Sequence, residues 1–418
     1  MNLKRCLLAC TLAIPAQGWC DALFINDATV HTMGPRTVLQ DTDILVRDGR
    51  VHSLGIDLEP PIDAVVIEAD GRPVTPGLFA GITAHGLVEI SMVEDTADDA
   101  AEVILDKPAM RPEFDVTAAY NPVSGPIAVT RIEGLTWAML GAGQSSSLIG
   151  GQGRAVRFDG GWSSFAGEPV LYLSVGGAGS EQSGGSRAAK WMLLEQALAE
   201  AGSELSWLPS PLLTPAGREA LAGFLETGLV VFGADRASDI VQVLAFSEKH
   251  GLNAAISGGA EAWMVADELA AAGMPVLLDP LANLPSNFDR LGARLDNAAL
   301  LNEAGVNVVF SGAGTHNARK QRQAAGNAVA NGLPWDAALA ALTAVPADIL
   351  GLDGGAGRIE PGSPADLVLW SGDPLEVTTW AEQVIVGGKP VDMVSRQTLL
   401  RDRYLESGTE MPWAYVKP

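Results

Sequence analysis

The chain has 418 residues, of which 47% are hydrophobic and 18% are charged, and this composition excludes a disordered protein of low hydrophobicity. Such a length allows two or three domains, or one barrel with an accessory module. The 50 Asp and Glu residues outnumber the 27 Lys and Arg residues, and the net charge of −23 argues against binding to nucleic acid or to anionic membrane surfaces.

The N-terminus has the pattern of a secretory signal peptide. Lys4 and Arg5 precede an uncharged, mostly apolar stretch over 6–16 that is too short to span a bilayer. We expect a signal peptide over 1–18, with a second candidate cleavage position after Ala22. All three cysteines lie in the first twenty residues, so the exported chain would have no intrachain disulfide. The predicted location is periplasmic or secreted, with no membrane attachment after cleavage.

Short β-branched runs separated by turn residues predict a small antiparallel sheet near the N-terminus, and similar runs return near the C-terminus. The runs are 23–32, 43–52, 65–70, 366–370 and 384–386. Asp48-Gly49 is typical of a two-residue hairpin turn. Sheet segments at both ends of a different middle region indicate one discontinuous module.

The middle of the chain alternates predicted strands and helices. Strands are predicted at 229–232, 252–256, 275–278 and 306–310, and helices at 238–250, 261–272 and 297–304. Each of these helices is followed by a glycine. This alternation requires parallel strands with right-handed crossovers, and the steady spacing is typical of a (β/α)8 barrel. The Gly- and Ser-rich segment 130–190 is predicted to hold further βα units.

Three motifs carry a resemblance to a known family. They are VTPGL at 74–78, LTAVPADILG at 342–351 and GRIEPGSPADLV at 357–368. Together they closely resemble the amidohydrolase superfamily, and within it the chain is most similar to the imidazolonepropionase-like and dihydroorotase-like metal-dependent hydrolases. The resemblance covers nearly the whole chain after the signal peptide. It implies a barrel that carries a mono- or binuclear metal site.

The predicted fold is therefore α/β, a TIM (β/α)8 barrel with a small discontinuous β-sandwich formed by the N- and C-terminal segments. We place the composite sandwich at 23–75 plus 353–400, the barrel at 76–352 and a C-terminal tail at 401–418. The resemblance implies metal ligands at the carboxyl ends of the barrel strands.

The positions that align with those ligands are degenerate in this sequence. Ile82 and Ala84 replace the His-x-His motif that follows Pro-Gly-Leu in the family, and His85 comes one residue late, on the opposite strand face. The other aligned positions are Gly233, Gly258 and Gly312.

The family's bridging carbamylated lysine also has no counterpart, because Lys190 falls on a predicted helix and Lys107 in a loop. We therefore predict no metal ligands and no cofactor. Zinc or another divalent metal is expected only if the family mechanism is retained.

Candidate ligand-contact residues are His85, Asp235, Arg236, Glu261 and His316. Three of these, His85, His316 and Asp235, could in principle form a relocated two-histidine, one-carboxylate metal site. Histidines that bind no ligand are commoner than metal ligands, so the relocated site is the less favoured interpretation.

By resemblance, the chain belongs with hydrolases that act on non-peptide carbon–nitrogen bonds. Its lost ligands favour a catalytically degenerate, exported homologue, because fold alone does not imply function. Its partner would be a small-molecule ligand or a ligand-intact amidohydrolase paralogue, and we expect an oligomer. The alternative is an active hydrolase of cyclic amides or N-acyl compounds that uses a relocated or metal-independent site.

Overall fold

The computed structural model describes residues 22–100, 110–142, 147–177, 183, 185–202, 211–312, 314–352 and 354–405. The predicted signal peptide over 1–18 lies outside the described residues, as does most of the predicted tail. A helix over Arg396–Leu405 runs across the tail boundary that the sequence suggested at residue 400.

One sheet combines the two ends of the chain. Its strands are β1 (Ala22–His31), β2 (Val38–Arg47), β3 (Arg50–Gly55), β4 (Val65–Glu68), β5 (Pro73–Pro76), β14 (Leu367–Trp370), β15 (Ala381–Val386) and β16 (Lys389–Pro390). They are ordered β16-β15-β14-β5-β1-β2-β3, and β4 pairs with β1. This composite sheet confirms that the N- and C-terminal segments form one module.

The predicted Asp48-Gly49 hairpin turn is present in this sheet. Asp48 and Gly49 have φ values of 51° and 74°, the positive values that a type I′ turn requires, and they connect β2 to β3. The two ends of the chain meet where β5 pairs antiparallel with β14, and there the Trp370 indole N–H donates to Thr75 Oγ1 at 2.8 Å. Trp370 and Thr75 are both fully buried.

The second sheet is an eight-stranded, nearly closed barrel. Its strands are β6 (Leu78–Thr83), β7 (Leu135–Leu140), β8 (Ile149–Arg157), β9 (Phe165–Ser174), β10 (Leu229–Ala234), β11 (Asn253–Gly258), β12 (Val276–Leu278) and β13 (Val308–Phe310). Neighbours in the sheet follow the chain order from β6 to β13. The TIM-like barrel is thereby confirmed.

The helices are α1 (Gly125–Arg131), α2 (Arg187–Ala201), α3 (Pro215–Glu226), α4 (Ala237–His250), α5 (Ala266–Ala272), α6 (Asn297–Glu303), α7 (Gln321–Ala330), α8 (Trp335–Ala340), α9 (Ala344–Ile349) and α10 (Arg396–Leu405). The helix predicted at 261–272 is instead a 3₁₀ turn, Ala262–Val265, followed by α5. None of the helices in the described ranges is both long and apolar enough to cross a membrane.

The segment 130–190 departs from the prediction of further βα units. It contains β7, β8 and β9, and β8 runs antiparallel to both neighbours, with no helix among the described residues that connect it to them, 141–142, 147–148 and 158–164. The turn from β8 to β9 is held by Asp159, whose carboxylate accepts the Gly161 N–H at 2.8 Å. A tight Asp-Gly-Gly turn favours a hairpin over a helical crossover, and this explains the error.

The barrel closes at its seam through a side chain. Ser311, directly after β13, accepts the backbone N–H of Ile82 in β6 at 2.9 Å. Inside the barrel, apolar residues of alternate strand positions pack together, including Phe79, Leu229 and Val309. Because Leu229 and Val231 face this interior, strand alternation places Gly233 on the same face, at the carboxyl end of β10.

Candidate functional site at the barrel mouth

The carboxyl ends of seven barrel strands point the same way, since only β8 is antiparallel. We call this end the mouth, and it is where a barrel of this kind places its functional residues. All five predicted ligand-contact residues follow strands that end there: His85 after β6, Asp235 and Arg236 after β10, Glu261 after β11, and His316 after β13.

His85 is fully buried beneath the mouth. Its Nδ1 is 2.7 Å from Thr83 Oγ1 and its Nε2 is 2.8 Å from Thr130 Oγ1, so both ring nitrogens have hydroxyl partners. The ring also packs against Phe158 at a centroid distance of 4.9 Å. Burial lowers the pKa of His85 to about 3, which keeps the imidazole neutral. This geometry favours a role in joining β6 to α1.

Asp235 and Glu261 are brought together and hold the loops at the mouth. The Asp235 carboxylate pairs with Arg290 Nε at 2.7 Å, and its backbone carbonyl accepts the Glu261 N–H at 2.9 Å. Glu261 is buried and accepts two backbone N–H groups, from Ala237 at 3.0 Å and from Gly292 at 2.9 Å. Ala237 is the first residue of α4, so Glu261 caps that helix from a neighbouring loop.

Replacing Glu261 with Gln should therefore destabilise the fold by about 1–3 kcal/mol, because the amide group turns an N–H toward one of two buried backbone donors. Urea unfolding curves measure the difference. Glu268→Gln is the matched control, since Glu268 is exposed in the next helix and should change stability by less than about 0.5 kcal/mol. Equal midpoints for the two variants would contradict this structural role.

Arg236 and His316 lie at the rim. Arg236 donates to the hydroxyl of Ser238 in the first turn of α4. His316 lies in the 3₁₀ helix Thr315–Lys320, and its Nε2 is 3.0 Å from the side-chain amide nitrogen of Asn317. Within the part of the chain that the structure describes, no three His, Cys, Asp or Glu side chains are grouped so that they could hold a metal ion. The relocated metal set of His85, His316 and Asp235 is therefore not brought together.

An ion-pair network at the mouth was not predicted from the sequence. Arg187 on α2 pairs with both Asp239 on α4 and Asp289 in the loop after β12. Asp289 also accepts the Gly177 N–H in the loop after β9. Burial raises the pKa of Asp239, against the opposing effect of the Arg187 guanidinium. The network ties three loops of the mouth together.

Lys190, which the sequence placed on a helix, is fully buried next to this network. Its ammonium group donates to the backbone carbonyls of Val175, at 2.8 Å, and Gly176. Burial lowers the pKa of Lys190, and the nearby Arg187 lowers it further. In the sequence, the only indication that Lys190 contacts these carbonyls was its position on the inward-facing side of a helix.

Comparisons with known proteins show what this chain is similar to. Residues 244–392 match the profile of Amidohydro_3, an amidohydrolase family. An amidohydrolase from Thermotoga maritima MSB8 has the same fold, with a TM-score of 0.75 and 24% identity over 88% of this chain and 99% of that chain. The segment 244–392 is therefore similar to the amidohydrolase family, and the chain shares the fold of a solved amidohydrolase.

Two further matches are weaker or shorter. N-isopropylammelide isopropylaminohydrolase from Burkholderia multivorans ATCC 17616 has a TM-score of 0.50 and 16% identity, over 88% of this chain and 98% of that chain. Amidohydrolase tasK from Hapsidospora irregularis is 47% identical over 57 residues, which is 14% of this chain and only 6% of that protein. The structural likeness supports the fold, and the match to tasK concerns 57 residues alone.

The residues present do not fit the metal site that the superfamily implies. Ile82 and Ala84 have apolar side chains, and Gly233, Gly258 and Gly312 have no side chain that could act as a ligand. Within the described ranges, no group of three His, Cys, Asp or Glu side chains is placed to hold a metal ion. The side chains at these positions provide no chemical step that runs through such a metal.

Two of the glycine positions are also closed by their neighbours. A Cβ atom on Gly258 would lie 2.7 Å from Asp235 Oδ1, at a φ of 104° that disfavours any other residue. A Cβ atom on Gly312 would lie 2.7 Å from Cγ and 2.8 Å from Cα of Asp279. At Gly233, in contrast, the nearest atom would be 3.5 Å away, an ordinary contact.

Proposed function

We propose that this chain is a non-hydrolytic member of the amidohydrolase superfamily that binds a ligand at the barrel mouth without a metal ion. The observation that carries the proposal is the closure of two ligand positions, where Asp235 and Asp279 take the space that side chains on Gly258 and Gly312 would need. Loss of one ligand position alone would leave a partial metal site. Because the space is occupied at both positions, we infer that the mouth serves a use other than holding a metal ion.

The occupant that we propose is a small organic molecule, held by groups that the loops already order. Arg187, Arg290 and the paired aspartates supply fixed charges of both signs, which suit a ligand with polar groups of more than one kind. A ligand-intact amidohydrolase paralogue is the alternative occupant. The N-terminal pattern further supports export of the chain.

Elemental analysis of the purified full chain tests the proposal, together with turnover assays on hydantoins, dihydropyrimidines, imidazolones and small N-acyl amino acids. We expect substoichiometric zinc and no hydrolysis, because the described strand ends offer no ligand set. Stoichiometric, tightly bound metal with chelator-sensitive turnover would overturn the proposal. Native mass measurement of the same preparation separates the two occupants, since a copurifying second chain would favour the paralogue.

A further inference from the structure

A groove on the outside of the barrel lies between α4 and α5. Its floor includes Leu252 and Asn253, at the amino-terminal end of β11, so the groove lies at the opposite end of this strand from the mouth. Its volume is about 760 Å³. Small-molecule sites commonly have volumes of roughly 300–1,000 Å³. The groove is independent of the function proposed for the mouth.

The walls of the groove are mainly apolar. Val241 and Leu244 of α4 face it on one side, and Met274 closes it beyond the end of α5. Alanines of both helices, including Ala245 and Ala271, keep the side chains short, so that a ligand can approach the helix backbones. Such a surface suits the hydrocarbon part of a ligand.

One polar group in this groove lacks a partner. Ser247 lines it with a relative exposure of 5%, and among the described residues its hydroxyl has no hydrogen-bond partner. A buried hydroxyl that makes no hydrogen bond costs about 1–3 kcal/mol relative to a satisfied one. A ligand with a polar head group would remove that cost.

The charges around the groove are of one sign. Glu248 and Glu268 line it, and no lysine, arginine or histidine is among the described residues that do so. The cations nearest in sequence, Lys249 and His250, are directed instead toward Glu195 on α2, at 2.6 Å and 3.2 Å. The groove is therefore electrostatically complementary to a cationic head group.

We propose that this groove binds an amphipathic organic amine. The hydrocarbon part lies against α4 and α5, and the ammonium group lies near the carboxylates of Glu248 and Glu268. The Ser247 hydroxyl oxygen is itself buried, so an ammonium N–H satisfies it when the Ser247 side chain turns toward the groove. Apolar area, an unsatisfied hydroxyl and acidic walls together select this class over fatty acids and neutral alcohols.

Isothermal titration of the full chain with n-octylammonium, octan-1-ol and octanoate tests the proposal at near-physiological salt. We expect saturable one-to-one binding of the amine, and binding of octanoate that is about tenfold weaker or undetectable. Ala245→Trp should abolish amine binding by filling the groove. The double change Glu248→Gln and Glu268→Gln should remove the preference for the amine over the alcohol, whereas Glu219→Gln on α3 should not.

Circular dichroism confirms that each variant is folded, and Ala271→Leu serves as a milder filling variant if Ala245→Trp does not fold. Equal affinities for octylammonium and octanoate would overturn the proposal. Amine binding that is unchanged in a folded filling variant would also overturn it, because the amine would then be bound elsewhere on this acidic chain.

Discussion

A Gly312→Ala variant is expected to lose about 3 kcal/mol of unfolding free energy, whereas Gly233→Ala should be as stable as the unchanged chain or slightly more stable. Both glycines lie at the carboxyl ends of barrel strands, and they differ in their surroundings. The added methyl group would overlap Asp279 at position 312, and it would meet only ordinary contacts at position 233. Urea unfolding midpoints of the two variants measure the difference.

A double-mutant cycle isolates the cause of that loss. Asp279→Gly removes the side chain that the new methyl group would contact but keeps Cα, which would lie 2.8 Å away, so part of the destabilisation by Gly312→Ala should disappear in the Asp279→Gly background. Asp279→Gly has a cost of its own, because the Asp279 carboxylate accepts the Leu281 N–H at 2.9 Å. Additive effects of the two changes would show that Asp279 does not occupy the space beside Gly312.

The stability of Gly312→Ala also tests the proposed function. If the space beside Gly312 is filled, placing a carboxylate side chain there by one substitution cannot rebuild a metal site, since the side chain would have no room. A stable Gly312→Ala variant would instead mean that the mouth is more open than its packing indicates. That result would contradict the proposal that a ligand position is closed there.

The unfolding free energy should fall on acidification because of His85. Burial lowers the folded-state pKa of this histidine to about 3, while in the unfolded chain it titrates near 6.5. The unfolded state therefore takes up a proton first, and the stability that neutral His85 allows is complete above pH 6.5 and is lost as pH falls toward 3. The loss approaches 1.4 kcal/mol per pH unit within that window and is on the order of 4 kcal/mol in total.

Comparison of variants separates His85 from the other titrating groups. His85→Gln should be less stable at pH 7.5, and its stability should fall less steeply between pH 6.5 and 4 than that of the unchanged chain. His316→Gln is the matched control, since it removes the same type of side chain from an exposed position on the rim. Burial also lowers the pKa of His31, so some slope should remain in every variant. Identical slopes for the His85→Gln and unchanged chains would show that His85 is not buried as described.

The parts of the fold that could be predicted from the sequence depend on local backbone chemistry. Asp48-Gly49 specifies a hairpin because both residues must adopt positive φ, and Gly251 and Gly273 end α4 and α5 in the left-handed conformation. The orientation of β8 was missed although the turn at 159–161 is a local signal for a hairpin, because the glycine-rich strand itself has no helical or alternating pattern that separates a crossover from a hairpin.

The candidate site was predictable only in part. The residue identities at the aligned strand ends could be read directly from the sequence. The ion pairs at the mouth could not, since Arg187 meets Asp239 and Asp289 from 52 and 102 residues away. Likewise, only the fold shows that the Glu261 carboxylate holds Ala237 and Gly292.

The pairing of β5 with β14 has a consequence for how the chain acquires its structure. The hydrogen bond between Thr75 and Trp370 joins residues 295 positions apart, so the composite sheet cannot be completed until almost all of the chain has been synthesised. Closing so long a loop is slow unless the intervening residues are already compact. The barrel should therefore form first and bring its two ends together, and the terminal sheet should assemble last.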